Sequence, residues 1–160
     1  MKYPMKKEMN GHNVRIPVEC LMSDVGFLIS LGSKSLFMDR KELQQRTKKF
    51  HVDIIKLCEG FPKNAAGFET AKQIIRAAGS VGANYRASVR AKSPADFIYK
   101  IEIVLEEADE SYYWLEVIKD AGLQSGVELD RLIKEANELT AIFAATDKTN
   151  KAKLQQSKSK

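Results

Sequence analysis

The sequence predicts an all-α protein that folds as an up-down-up-down four-helix bundle. Between Met38 and Thr146, apolar residues recur at intervals of three and four, the pattern of a helix that buries one face. Glycine and proline interrupt this pattern at three places, so four helices are joined by short connections. Short connections favour antiparallel neighbours, and no alternating pattern typical of a strand follows Met38.

Helix one is predicted to begin after Asp39. This residue is a good N-cap, and Glu42 follows it at the spacing of a capping box. The predicted buried face consists of Leu43, Phe50, Ile54, Leu57 and Phe61. Gly60 and Pro62 end the helix.

Helix two is predicted over residues 68–92 and is rich in small side chains. Its stripe comprises Ile74, Ile75, Ala78, Val81, Gly82, Tyr85 and Val89. Gly79 and Gly82 inside a helix each cost about 1 kcal/mol relative to alanine. Two explanations stay open at this point: a neighbouring helix approaches closely there, or the helix kinks.

Helix three is predicted from Pro94 to Ala121, because Ser93 is a good N-cap and proline is favoured at the first helical position. Gly122 closes it. Helix four is predicted over residues 127–145. The two stripes are Phe97, Ile101, Val104, Ala108, Ser111, Leu115 and Ile118, then Leu129, Leu132, Ile133, Ala136, Leu139, Ile142 and Phe143.

The bundle is expected to span residues 38–146, with a segment of different character on each side. Residues 1–37 form either a native, loosely docked N-terminal extension or a segment before a true start at Met38. The lysine-rich residues 147–160 are expected to be a disordered tail. The apolar run at 20–31 is too short and too interrupted to cross a membrane. Two cysteines without metal or disulfide spacing favour a cytoplasmic location.

No catalytic, metal-binding or cofactor-binding pattern stands out. Carboxylate-bridged metal bundles need a Glu-x-x-His pair on each of two helices, and the only histidine of the predicted helices is His51. No glycine-rich phosphate loop follows a strand. We therefore predict that the protein is not an enzyme and needs no metal or cofactor.

The net charge of +5 is distributed unevenly. Residues 38–100 contain 13 basic and six acidic side chains, whereas residues 101–146 contain three basic and 11 acidic ones. Basic side chains attract nucleic acid by neutralising phosphates. The candidates for nucleic-acid binding are Arg40, Lys41, Lys48, Lys49, Arg86, Arg90 and Lys92. The alternative is a solvated face that forms ion pairs within or between subunits.

Two further sets of residues are candidates for structural roles. Arg76 is expected to form ion pairs with carboxylates of helix three, within the bundle or across subunits; these are Glu106, Glu107 and Glu110. Apolar side chains off the main stripe predict a second packed surface and hence a homo-oligomer; these are Tyr99, Ile103, Tyr113 and Trp114. The alternative is that Tyr113 and Trp114 only cover the end of the bundle.

Residues 61–123 resemble bacterial four-helix bundle proteins related to those encoded in intervening sequences of 23S ribosomal RNA genes. The resemblance is carried by Gln73, Arg76-Ala77-Ala78, Ser80-Val81, Ala83-Asn84, Arg86, Arg90-Ala91, Ser93, Asp96-Phe97, Glu107-Ala108 and Glu110-Ser111. Many members of that family have Asn-Ile-Ala-Glu-Gly where this chain has residues 84–88, Asn-Tyr-Arg-Ala-Ser.

The resemblance implies a cyclic homo-oligomer, commonly a pentamer, and no enzyme activity. A similar branch, the accessory proteins of diversity-generating retroelements, works with nucleic acid and a reverse transcriptase. A head-to-tail ring joins two different faces of each subunit, which suits the uneven charge. Two functional hypotheses follow: a module associated with RNA or the ribosome through the basic face, or a ring-shaped scaffold with no nucleic-acid role.

Overall fold

The computed structural model describes residues 27–31 and 34–159, which form a β-hairpin followed by four α-helices. The hairpin pairs β1, Phe27–Leu31, with β2, Lys34–Met38, in antiparallel register. The helices are α1, Arg40–Glu59; α2, Ala65–Ser88; α3, Pro94–Asp120; and α4, Val127–Lys158. Over these residues, no helix is both long enough and apolar enough to cross a lipid bilayer.

The helices confirm the predicted four-helix bundle. In it, α2 packs against α1 and α3, and α4 packs against α3 and α1. The predicted stripes meet in one core, in which Phe50, Ile74, Tyr85, Leu115 and Phe143 are among the largest fully buried side chains. The rings of Tyr85 and Phe143 contact each other across that core, with centroids 5.4 Å apart. Phe97 and Ile133 are only partly buried at its edge.

Local capping chemistry sets the helix ends. The backbone N–H of Glu42 donates to Asp39 Oδ1 at 2.7 Å, and the N–H of Asp39 donates to Glu42 Oε2 at 2.8 Å, which confirms the capping box. Ser93 caps α3 as predicted, through its Oγ and the N–H of Asp96. The helix α2 begins earlier than predicted, because Asn64 Oδ1 accepts from the N–H of Gly67.

The end of α3 is a Schellman motif. Gly122 takes a positive φ of 65°, a conformation that glycine adopts without steric cost. Its N–H donates to the carbonyl of Lys119, and the N–H of Leu123 donates to that of Ile118. The predicted role of Gly122 is therefore confirmed.

The two glycines of α2 allow close packing against α1. A Cβ at Gly79 would lie 3.0 Å from His51 Cε1, and one at Gly82 would lie 3.6 Å from the carbonyl oxygen of Thr47. The helix runs without interruption through both positions. Close approach of a neighbouring helix, one of the two explanations left open by the sequence, is observed at Gly79.

The structure differs from the sequence-based expectation at both ends of the bundle. Residues 147–158, expected to be disordered, continue α4. Lys151 holds this segment against α3, because its Nζ lies 2.6 Å from Glu102 Oε1 and 2.7 Å from Asp147 Oδ2. The hairpin lies in the segment predicted as an N-terminal extension, whereas the possible strand at 14–21 lies outside the described residues.

Ion pairs fix α1 against α4. Arg46 makes a bidentate contact with Glu135, at 2.7 and 2.8 Å, and also reaches Glu138 at 2.6 Å. Further along α1, the nearly buried Asp53 accepts from Lys49 and Arg131. Burial is the largest single influence on the Asp53 pKa and raises it, but the two cationic partners together outweigh burial and hold that pKa below its ordinary value.

We expect Arg46→Ala to lower the free energy of unfolding by about 1–3 kcal/mol, because it leaves two partly buried carboxylates without their charged donor. Arg46→Lys should lose less, since lysine keeps the charge but not the bidentate fork. Urea unfolding followed by far-UV circular dichroism measures both. Arg76→Ala is the matched control on an exposed arginine; an equal loss in Arg46→Ala and Arg76→Ala would contradict a structural role for the Arg46 contacts.

Candidate functional site

A groove of about 570 Å³ between α1 and α2 collects part of the predicted basic set. Its walls come from both helices, and its narrow floor lies where Gly79 and Gly82 face α1. The lining residues are Lys41, Gln44, Gln45, Lys48, His51, Gly79, Gly82, Ala83 and Arg86. Three of the seven candidates for nucleic-acid binding, Lys41, Lys48 and Arg86, are therefore brought together.

Helical spacing explains why these three cations converge. Lys41 and Lys48 lie two turns apart on one face of α1, and Arg86 lies one turn beyond Gly82 on the face of α2 that meets α1. All three side chains are exposed. No carboxylate of the described residues lies within ion-pair distance of any of them. Their charge is available to an external anion.

The groove also contains neutral polar groups that the sequence-based prediction missed. Gln44 and Gln45 lie between the two lysines on α1. His51 is half-buried, with its imidazole edge over Gly79, where an added Cβ would make a tight contact of 3.0 Å with it. The sequence could have indicated these groove residues, because positions 41, 44, 45, 48 and 51 follow the three- and four-residue spacing of one helix face.

The other four predicted cations do not line the groove. Lys49 turns toward α4 and donates to Asp53. Arg40 is half-buried at the start of α1. Arg90 and Lys92 are exposed in the connection between α2 and α3, where the backbone N–H of Lys92 donates to Asp96 Oδ2 at 2.9 Å. The predicted basic set is therefore divided among several places.

The predicted ion pairs of Arg76 are not formed as direct contacts between described residues. Arg76 is exposed, and no guanidinium nitrogen of it lies within 4.0 Å of a Glu107 carboxylate oxygen. It is nevertheless close enough for its charge to lower the pKa of Glu107. Burial raises the pKa of Glu107, and the negative charges of Glu110 and Glu106 raise it further. The positive charge of Arg76 and a hydrogen bond from Ser80 lower this pKa, but by less, so the net shift is upward. Pairing of these groups across subunits stays a prediction.

The predicted interface residues lie along one side of α3. Tyr99, Ile103, Glu106, Glu110 and Tyr113 follow alternating spacings of four and three, so they form a second seam beside the buried one. Tyr99 is 61% exposed and Tyr113 is 56% exposed. The latter packs edge-on against Trp114, whose Nε1–H donates to Glu110 Oε1 at 3.1 Å. Burial of this seam in an oligomer stays a prediction.

Reactive groups are scarce in the described part of the chain. No group of three or more histidine, cysteine or acidic side chains there could hold a metal ion. Burial raises the pKa of the Cys58 thiol to about 12, so this thiol is protonated and unreactive near neutral pH.

Comparison with known proteins shows similarity to one family model and to solved structures. A family model described as 23S rRNA-intervening sequence protein matches residues 40–145. Among solved structures, the chain is similar to a protein of unknown function from the S23 ribosomal protein family of Bacteroides thetaiotaomicron VPI-5482. The two chains are 30% identical with a TM-score of 0.61, and the match covers 66% of this chain and 98% of the other. No curated protein matches significantly.

The raised pKa of Glu107 predicts a pH dependence of stability. The folded state binds this proton more tightly than the unfolded state, whose carboxyl titrates near 4.5, so stability decreases as the pH rises through the folded-state value. We expect Glu107→Gln to be more stable than the wild type at neutral pH and to lose that advantage below pH 4.5. Urea unfolding across this pH range tests it, with the exposed Asp109→Asn as control; identical profiles for wild type and Glu107→Gln would refute it.

Proposed function

Since the chain belongs to the 23S rRNA-intervening sequence protein family, we propose that it is a non-catalytic protein that associates with RNA, free or in the ribosome. The groove between α1 and α2 provides the contact surface. Because a family match by itself names no ligand, the proposal depends on the charges of this chain and on how they are placed.

The proposal rests on a difference among the basic side chains: some form ion pairs with carboxylates, and those of the groove do not. Arg46, Arg131, Lys119 and Lys151 each meet a carboxylate at 2.6 or 2.7 Å. The three cations of the groove have no such partner among the described residues. Cations left without carboxylates on one concave surface attract a polyanion by releasing its condensed counterions.

The chemistry of the groove supports a non-catalytic role. Its lining contains no serine, cysteine or carboxylate, so His51 has no nucleophile or acid partner within it. The remaining polar groups are carboxamides, which bind and orient ligands but do not transfer protons efficiently. The groove is therefore suited to binding rather than to reaction.

We expect the purified protein to bind single-stranded RNA with an affinity that falls log-linearly as the salt concentration rises. The double variant Lys48→Gln/Arg86→Gln should reduce that slope by about 0.7 for each phosphate that the protein no longer neutralises. Fluorescence anisotropy of a labelled RNA oligonucleotide, titrated at several salt concentrations, measures both quantities.

The matched control is Lys134→Gln, which removes an exposed lysine on α4 away from the groove. It should leave the slope unchanged. Equal losses in the double variant and the control would place the binding site elsewhere. No binding by the wild type at low salt would refute the RNA-binding function.

The exposed seam of α3 favours a second candidate, a homo-oligomeric scaffold that assembles as a ring. Its exposed ends, Tyr99 and Tyr113, are of the residue type enriched at subunit interfaces, whereas Glu106 and Glu110 between them require a partner surface that carries cations. In a head-to-tail ring, this acidic seam would face a basic surface of the next subunit. The resemblance to the family favours a pentamer.

Sedimentation velocity tests this second candidate. We expect the wild type to sediment as an oligomer and Tyr99→Ser/Tyr113→Ser to dissociate, because two large apolar side chains are removed from the interface. Val127→Ser removes an apolar side chain that is 87% exposed and off the seam, so it should leave the oligomer intact. A monomeric wild type at micromolar concentration would exclude the ring.

A further inference from the structure

We infer that the groove between α1 and α2 accommodates an unpaired nucleotide, with its base inside the groove and its phosphates on the rim. This inference rests on the proposed RNA-binding function and specifies its ligand as single-stranded RNA. Three features of the groove lead to it: its concavity, its neutral polar groups and its half-buried histidine ring.

Concavity distinguishes this surface from a flat basic patch. The volume of about 570 Å³ falls within the range of roughly 300–1,000 Å³ in which small ligands are enclosed. The bases of duplex RNA are stacked inside a rigid helix with a deep, narrow major groove, so they cannot enter a cleft between two protein helices. An unpaired base can rotate out of its strand and enter.

The carboxamides are the second feature. Gln44 and Gln45 are uncharged and add nothing to phosphate neutralisation, yet they lie among the cations of the groove. Each carries two N–H donors and one carbonyl acceptor. That combination matches the edge of a nucleobase, which presents donors and acceptors side by side. Their N–H groups can also donate to phosphate oxygens, but only a base edge uses the donors and the carbonyl acceptor together.

The third feature is the position of His51. Its imidazole lies over Gly79, where an added Cβ would be 3.0 Å from Cε1 and 3.1 Å from Nε2, so the missing side chain makes room for the ring. A half-buried ring that lines the groove offers a planar surface on which a base can stack. The planar guanidinium of Arg86 provides a second stacking surface or a phosphate contact.

The charges complete the geometry. Lys41 and Lys48 lie two turns apart along α1, and Arg86 faces them from α2. This places cations on both rims, where the phosphates on either side of an inserted nucleotide would lie. No carboxylate lines the groove to repel them.

The decisive experiment fills the groove without changing its charge. Ala83 is exposed and lines the groove, and leucine is nearly as good a helix former as alanine, so Ala83→Leu should fold normally. We expect it to weaken single-stranded RNA binding about tenfold and to leave duplex RNA binding within about twofold. Anisotropy with a labelled strand, alone and annealed to its complement, gives both affinities.

Two further variants keep the result interpretable. Ala141→Leu makes the same change at an exposed alanine of α4 and should affect neither RNA. Gln45→Ala should change the order of affinity among oligonucleotides of adenine, uracil and cytosine, with the salt slope unchanged, because it removes a base contact but no charge. Circular dichroism verifies that each variant is folded.

The outcomes separate this inference from the proposed function. If Lys48→Gln/Arg86→Gln weakens binding but Ala83→Leu and Gln45→Ala have no effect, base insertion is overturned and RNA binding through the basic surface stands. Equal competition by inorganic polyphosphate and by RNA of matched charge would also overturn base insertion. If no RNA binds at low salt, both the inference and the proposed function fail.

Discussion

The close contact between α1 and α2 is the constraint on which the rest of the structure depends. At Gly79 the helices approach until His51 lies 3.0 Å from where a Cβ would be, and at Gly82 the carbonyl oxygen of Thr47 lies 3.6 Å from that position, an ordinary contact distance. The two glycines cost about 1 kcal/mol each in helix propensity. Phe50 of α1 is buried in the core, and the outer edges of the contact between α1 and α2 form the two walls of the groove.

The orientation of α1 about its own axis decides both which of its side chains stabilise the bundle and which line the groove. One face carries Arg46 and Asp53, which pair with carboxylates and an arginine of α4. Another face carries Lys41 and Lys48 into the groove. The buried apolar face of α1 and its ion pairs with α4 fix this orientation. The groove lysines therefore stay away from the acidic residues of α3 and α4. The same packing that stabilises the bundle therefore leaves these charges unneutralised.

Features that depend on local chemistry can be predicted from this sequence, and those that depend on neighbours cannot. The helix starts at Asp39 and Ser93 and the end at Gly122 follow from capping residues within one turn, and all three are observed. The ion pairs between α1 and α4 could not be predicted, because periodicity does not say which charged faces meet. The composition of the tail predicts disorder, but in the structure this segment continues α4 and Lys151 forms an ion pair with Glu102 on α3. Clustering of three cations of the basic set similarly required the contact between α1 and α2.

Arg86 shows how one local sequence change bears on the function of this chain. In the family pattern Asn-Ile-Ala-Glu-Gly, the third position is alanine and the fourth is glutamate, whereas this chain has Arg86 and Ala87. One substitution adds a cation at the wall of the groove, and the other removes a carboxylate beside it. Both favour a polyanion, since each makes the potential of the groove more positive. Arg86 lies in α2, whereas Arg90 lies in the turn that follows that helix. The charge of the groove therefore depends on the residues at positions 86 and 87 of this sequence as well as on the bundle fold.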